Sequence, residues 1–258
     1  MMSMKYIITT FCGVMLSLGL SAQDSIRSFP EYSFGLHTGM DIGAAVPFPP
    51  ASAGGMSKMR ATPNLNPALG ASANMRIDDR WSVALEVTYK QVGIDATARV
   101  NKQKYRDPNN EDLSLYFKGT AEIDMEFSML EIPVYAGYRF GKNDNKAILG
   151  LYYSRVFKSK FTAHPLKGVL TPLDNPDEWT EVGPEKSMDP QDFDESMSKW
   201  DFGFLVGYEW KVHDKVYVGA RYSMGLKDIF KRNEKFLDYK MLHMRGTVVI
   251  SYRFFTIK

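Results

Sequence analysis

The sequence predicts an all-β fold: an eight-stranded antiparallel up-and-down transmembrane β-barrel with short periplasmic turns and long extracellular loops. Three observations predict it. Eight segments alternate apolar residues with small or polar ones, the period-two signature of a strand whose faces meet different solvents. The connections alternate too. Short gaps (77–80, 141–146, 211–215) take turns with long ones around 45–66, 94–122, 158–198 and 227–238, the asymmetry of an outer-membrane barrel. Each segment is also about 9–14 residues long, enough for a tilted strand to cross a bilayer.

Residues 1–22 read as a secretory signal peptide, which leaves 23–258 as the barrel domain. Lys5 supplies the positive start, Ile7 to Leu20 form a mostly apolar core, and Ser21 and Ala22 suit cleavage before Gln23. The apolar stretch is too short for a spanning helix. The only cysteine, Cys12, lies inside it, so the mature chain has no disulfide, thiolate nucleophile or Cys-ligated zinc site. A net charge of +2 gives no argument for nucleic acid as a partner. Aromatics at 13%, mostly Tyr and Phe, suit a sheet with a lipid-facing side.

The first segment sets Tyr32, Phe34, Leu36, Met40 and Ile42 against Ser33, Gly35, His37, Gly39, Asp41 and Gly43. The second sets Leu69, Ala71, Ala73 and Met75 against Gly70, Ser72, Asn74 and Arg76. In the third, Trp81, Val83, Leu85, Val87 and Tyr89 oppose Ser82, Ala84, Glu86, Thr88 and Lys90. The fourth carries Met125, Phe127 and Met129, then continues in the other phase with Leu130, Ile132, Val134, Ala136 and Tyr138. A one-residue slip turns an apolar set inward unless a bulge absorbs it, so a bulge is predicted near Met129–Pro133. The fifth (Ala147, Leu149, Leu151, Tyr153) is the least regular, because Ile148 and Val156 fall on its polar face. The last three run through Trp200–Trp210, Val216–Met224 and Leu242–Phe254. Two aromatic girdles are expected, Trp81, Phe140, Trp210 and Phe254 at the short-turn ends and Tyr89, Phe127, Phe157 and Trp200 at the long-loop ends.

An eight-stranded barrel is just wide enough for side chains to fill it. The expected inward charges therefore need partners, and Glu86, Glu131, Arg139, Asp201, Glu209, Arg221 and Arg245 form a candidate interior ionic network. A narrow selective pore is the alternative reading of the same charges. A lipid-processing enzyme is a third: His37 and His243, on the first and last strands, would have to converge with Asp41 or Ser33. No catalytic motif is evident, so the expectation is a non-enzymatic protein without cofactor or metal. The acidic loop around 168–197 contains Asp192, Asp194 and Glu195 but lacks the Asp-x-Asp-x-Asp-Gly spacing of a calcium loop.

Leu130-Glu131-Ile132-Pro133-Val134, Lys199-Trp200-Asp201-Phe202-Gly203-Phe204 and Gly219-Ala220-Arg221-Tyr222-Ser223-Met224-Gly225-Leu226-Lys227-Asp228-Ile229 resemble the PorT-like family of Bacteroidetes outer-membrane β-barrels. The resemblance covers most of the mature chain and rests on short structural motifs. It implies a barrel of about eight strands with periplasmic termini, and outer-membrane lipid and barrel-assembly machinery as partners. It also implies a place among proteins associated with type IX secretion or envelope assembly. It supplies no catalytic motif. Asp201 and Arg221 stand at the family's recurring positions and are expected in the interior network.

Overall fold

In a computed structural model, which describes residues 29–48, 56–64, 66–107, 110–141, 144–172, 177–183, 191–231 and 240–257, eight long strands close into a ring. The strands in chain order are β1 (Glu31–Phe48), β2 (Met56–Pro63), β3 (Asn66–Arg76), β4 (Trp81–Asp107), β5 (Asn110–Phe140) and β6 (Asn145–Pro172). The short β7 (Thr180–Val182) and β8 (Gln191–Asp192) follow, then β9 (Trp200–Lys211), β10 (Val216–Gly225) and β11 (Lys240–Ile257). Around the ring the order is β1, β3, β4, β5, β6, β9, β10, β11 and back to β1, every neighbour antiparallel. Closure follows from the solvent: a sheet edge facing hydrocarbon would leave backbone donors and acceptors unpaired at several kcal/mol each. The expected signal peptide, 1–22, lies outside the described residues.

Three tight turns join strands at one end, and their chemistry is local. At 77–80 the Asp78 carboxylate accepts the backbone N–H groups of Arg80 and Trp81, both at 2.7 Å. Those two donors hold its carboxyl below the usual carboxylate range. At 141–144, Gly141 and Asp144 adopt positive φ (73° and 59°), residue types that tolerate the left-handed region.

Two of the expected long loops are largely wall. β4 and β5 run as one hairpin whose ladder extends from Trp81↔Tyr138 to Asp107↔Asn110, and β6 continues beside β5 to Pro172. β2 stacks over β3 along β4, pairing with its residues 94–100 where β3 pairs with 82–90. β7 and β8 likewise pair with β6 beyond the stretch taken by β9. The wall thus continues beyond the lipid band on β4, β5 and β6.

Its polarity reverses on the way. Along β4 the even positions face inward throughout: Ser82, Ala84, Glu86, Thr88 and Lys90 are buried, and so are Val92, Ile94, Ala96, Ala98 and Val100. The outward positions begin with exposed Trp81, Val87 and Tyr89 and go on to exposed Gln91, Asp95, Thr97 and Arg99. The first half is polar inside and apolar outside, as lipid requires; the second is the reverse, as water requires. Ala44, Ala45, Ile123, Met125, Phe127, Met129, Phe161 and Phe230 join those β4 residues in one apolar core above the polar lumen.

This reversal corrects the reading of β5. The strand does not slip: Met125, Phe127 and Met129 face inward in the same phase as Glu131 and Tyr135. What changes is the content of the interior, from apolar to charged. The predicted bulge is displaced as well. The register shift lies between Ser128 and Met129, where Ser128 pairs with Lys158 and Met129 with Val156, so the extra residue is Phe157 of β6. Phe127 accordingly leaves the expected girdle; it is buried, with its ring edge-on to His243 at 4.8 Å. The other girdle residues (Trp81, Tyr89, Phe140, Phe157, Trp200, Trp210, Phe254) are exposed outward, and Ile148 and Val156 are buried within.

Leu151, outward on β6 and 67% exposed, lies within the lipid band. Leu151→Arg is expected to lower stability in vesicles by about 2–4 kcal/mol, whereas Thr97→Arg, outward above the band, is expected to be near neutral. Urea unfolding of the reconstituted variants measures both; equal costs would show that the polarity boundary is misplaced.

Candidate functional site

The charged lumen is built from the inward positions of all eight ring strands. Gly70 on β3 and Gly203 on β9 set its close packing: a β-carbon at Gly70 would lie 2.6 Å from His37 Nε2, and one at Gly203 2.7 Å from Tyr152 Cε1. Five carboxylates (Asp41, Glu86, Glu131, Asp201, Glu209) share it with five cations (Lys90, Lys146, Arg221, Arg245, Arg253). Balance is a requirement here, because each unpaired charge would carry a desolvation cost of several kcal/mol.

Two clusters divide it. Toward the turn end, Glu209 accepts from Lys146 at 2.7 Å, Arg253 at 3.0 Å and Arg221 at 3.1 Å. Arg221 also forks onto Glu86, its Nη1 and Nη2 donating at 2.6 and 2.9 Å, the bidentate geometry that suits a planar guanidinium. The Tyr135 hydroxyl donates to Glu86 at 2.6 Å, and its ring lies 5.2 Å from the Arg221 guanidinium. Above them, Glu131 accepts from Arg245 at 2.6 Å, Lys90 at 2.9 Å and the Ser154 hydroxyl at 3.3 Å. Lys90 reaches Asp41 at 3.4 Å, and Asp41 also accepts from the Thr247 hydroxyl.

Of the seven candidate residues, the structure joins Glu86, Glu209 and Arg221 in the first cluster and Glu131 and Arg245 in the second. Asp201 accepts from the Tyr152 hydroxyl at 2.8 Å instead of a cation, and it is not paired with Arg221. Arg139 sits at the turn end against Asp144, outside both clusters. Sequence reasoning left out Lys146, which looks like part of the turn because it follows Asn143, Asp144 and Asn145 directly. It left out Asp41 as a network member although its face had been identified. Position in the alternation was the available signal for both.

His37 and His243 do not converge. His37 Nε2 meets the Thr88 hydroxyl at 2.9 Å in the polar lumen, while His243 packs in the apolar core. In the β1–β11 ladder His37 pairs with Ser251 and His243 with Ala45, eight positions along β1 or about 26 Å. Ser33 pairs with Thr256, farther still. In the acidic loop, Asp192 Oδ1 accepts the Asp194 N–H at 2.8 Å, and Asp194 Oδ1 accepts the Phe161 N–H at 2.7 Å, tying the loop to β6. Among the described residues no three His, Asp or Glu side chains are grouped to hold a metal.

The void at mid-lumen, between His37, Glu86, Lys90, Glu131, Leu205 and Arg221, measures about 10 Å³, at the lower limit for one water. At the turn end a separate polar vestibule of about 310 Å³ is lined by Arg76, Arg139, Lys146 and Arg253 among others.

The profile of the outer membrane protein beta-barrel domain matches residues 21–231, most of the chain. The chain belongs to that family. It is an outer-membrane β-barrel in contact with membrane lipid. Among solved structures the barrel is similar to Ail, the attachment invasion locus protein of Yersinia pestis, seen in complex with the heparin analogue sucrose octasulfate. Identity is 11%, over 87% of this chain and 99% of that one, with a TM-score of 0.37. It is also similar to Neisserial surface protein A (15%, 86% and 99%, TM-score 0.36) and to OprG of Pseudomonas aeruginosa (13%, 87% and 95%, TM-score 0.27). No curated protein matches the sequence.

Arg245→Met in the barrel is expected to cost about 3–5 kcal/mol, because Glu131 would keep one cation, Lys90, in place of two. Adding Glu131→Gln should recover part of that loss. Chemical denaturation of the single and double variants reads the coupling, and strict additivity would argue against a network.

Proposed function

We propose that this barrel is a non-enzymatic member of the PorT-like group that holds an ordered structure at the cell surface and serves protein secretion or envelope assembly as an accessory. In this reading residues 1–22 are cleaved on export and the barrel-assembly machinery inserts the mature chain. The observation that carries it is a lumen filled by paired charges at mid-height beneath a wall that continues beyond the lipid band. A barrel so filled is suited to presenting a surface rather than passing a solute. The separation of His37 from His243 supports the non-enzymatic reading. The secretion role rests on the resemblance of the strand motifs, a fold-level analogy.

Three measurements test it. Envelope fractionation should recover the protein in the outer membrane, running faster on a denaturing gel when unheated. Planar bilayers containing the wild-type barrel should show no unitary conductance; steady open steps would favour the narrow pore. Photo-crosslinking in cells from Trp179, exposed near the surface strand β7, should capture secretion or envelope-assembly components. Recovery of lipid adducts alone would count against the accessory role.

A further inference from the structure

Cations inside the barrel have carboxylates within ion-pair reach; several outside it do not. Three of these, Arg155 and Lys158 of β6 and Lys227 just after β10, stand at the level where the outward face changes from apolar to polar. Among the described residues, no carboxylate lies within 4.0 Å of any of these three, whereas neighbouring Lys160 is paired with Asp124. The nearest carboxylates act from farther off: Asp201 and Asp228 attract Lys227 without reaching it, and Asp228 accepts the N–H groups of Phe230 and Met241.

The backbone brings Arg155 and Lys227 to Trp200, and Lys158 follows Arg155 on the same strand. Arg155 is the ladder partner of Trp200, and the Val156 N–H donates to the Lys199 carbonyl at 3.0 Å. Lys227 Nζ lies 3.5 Å from the Trp200 ring centroid and donates to the Ser198 hydroxyl and, at 3.3 Å, to the Trp200 carbonyl. Trp200 is itself stacked with Tyr153 and Phe202, centroids 6.5 and 5.9 Å apart. An exposed aromatic shelf on the lipid side therefore carries cations along its upper rim. Aromatic rings of this kind seat at the headgroup level, and long basic side chains lay their stems along apolar surface and lift their charge to that level. The clustering is one-sided: the outward ends of the band on β1, β3 and β4 carry Ile42, Leu69 and Tyr89.

We infer that Arg155, Lys158 and Lys227 form a binding site for a phosphorylated lipid headgroup of the outer leaflet, with its acyl chains resting against Tyr153, Trp200 and Phe202. The site is on the long-loop side, which faces out in a barrel of this topology. Phosphate offers the acceptors that an Arg fork and Lys ammonium groups take as charge-assisted hydrogen bonds. Lipid supplies the apolar part that a free anion lacks.

The test is native mass spectrometry of the whole barrel released from neutral detergent micelles doped with diphosphoryl lipid A. Wild type should retain the lipid through detergent stripping. Arg155→Gln with Lys227→Gln should weaken retention by about fivefold for each cation removed. Dephosphorylated lipid A should be retained no better by wild type than by the variant. Equal retention of diphosphoryl lipid A by both proteins would overturn the assignment. Displacement of the lipid by millimolar inorganic phosphate would also overturn it, by marking a site for a free anion. If the double variant is not heat-modifiable and so has not folded, Lys158→Gln carries the same comparison.

Discussion

Closure of β1 onto β11 is the constraint on which everything else in this molecule depends. Their ladder runs from Tyr32↔Ile257 to Phe48↔Lys240 and joins the two ends of the described chain. In hydrocarbon an open edge has no water to satisfy it, so the sheet is stable there only as a ring. The ring, once closed, defines an inside. Each inward side chain must then find its partners among the other seven strands, because neither lipid nor bulk water reaches mid-lumen.

That confinement explains the form of the charged interior. Glu209 gathers cations from β6, β10 and β11, and Glu131 gathers them from β4 and β11. Each carboxylate thus fastens strands far apart in sequence, Glu131 and Arg245 being 114 residues apart. Desolvation opposes such burial and multiple short hydrogen bonds offset it, so the interior contributes specificity of pairing and register more than net stability. The tyrosines complete the arrangement, each placing a hydroxyl on a carboxylate and a ring beside a guanidinium.

The same ring then serves a second solvent. Above the lipid band β4 and β5 keep their phase while the residue types exchange faces, producing an apolar core under a polar exterior. Aromatic contacts among Phe161, Phe193 and Phe230 and the Met197↔Phe230 bridge draw the segment before β9 and the segment after β10 onto that core. Surface-side structure is therefore continuous with the membrane wall rather than appended to it, which gives whatever docks there a rigid base.

Strand number, the three tight turns, the lipid-facing residues and most inward charges were legible in the sequence, because a period of two against two unlike solvents writes itself directly into residue type. The run Trp81–Lys90 reads this way without any structure. The run Met125–Val134 does not. There the alternation keeps its phase while the interior changes from apolar to charged, and a linear pattern cannot distinguish a slipped strand from an exchanged solvent. Nor could periodicity reveal which charge meets which: Arg221 with Glu86 and Glu209, Asp201 with Tyr152, and His37 and His243 kept apart are all set by register around a closed ring. Amino-acid order alone determined that this chain crosses a membrane as strands and, outside the run Met125–Val134, which face of a strand meets lipid. Tertiary structure alone decided which lumen partners meet and where lipid gives way to water, since both depend on how eight strands are staggered when the ring closes.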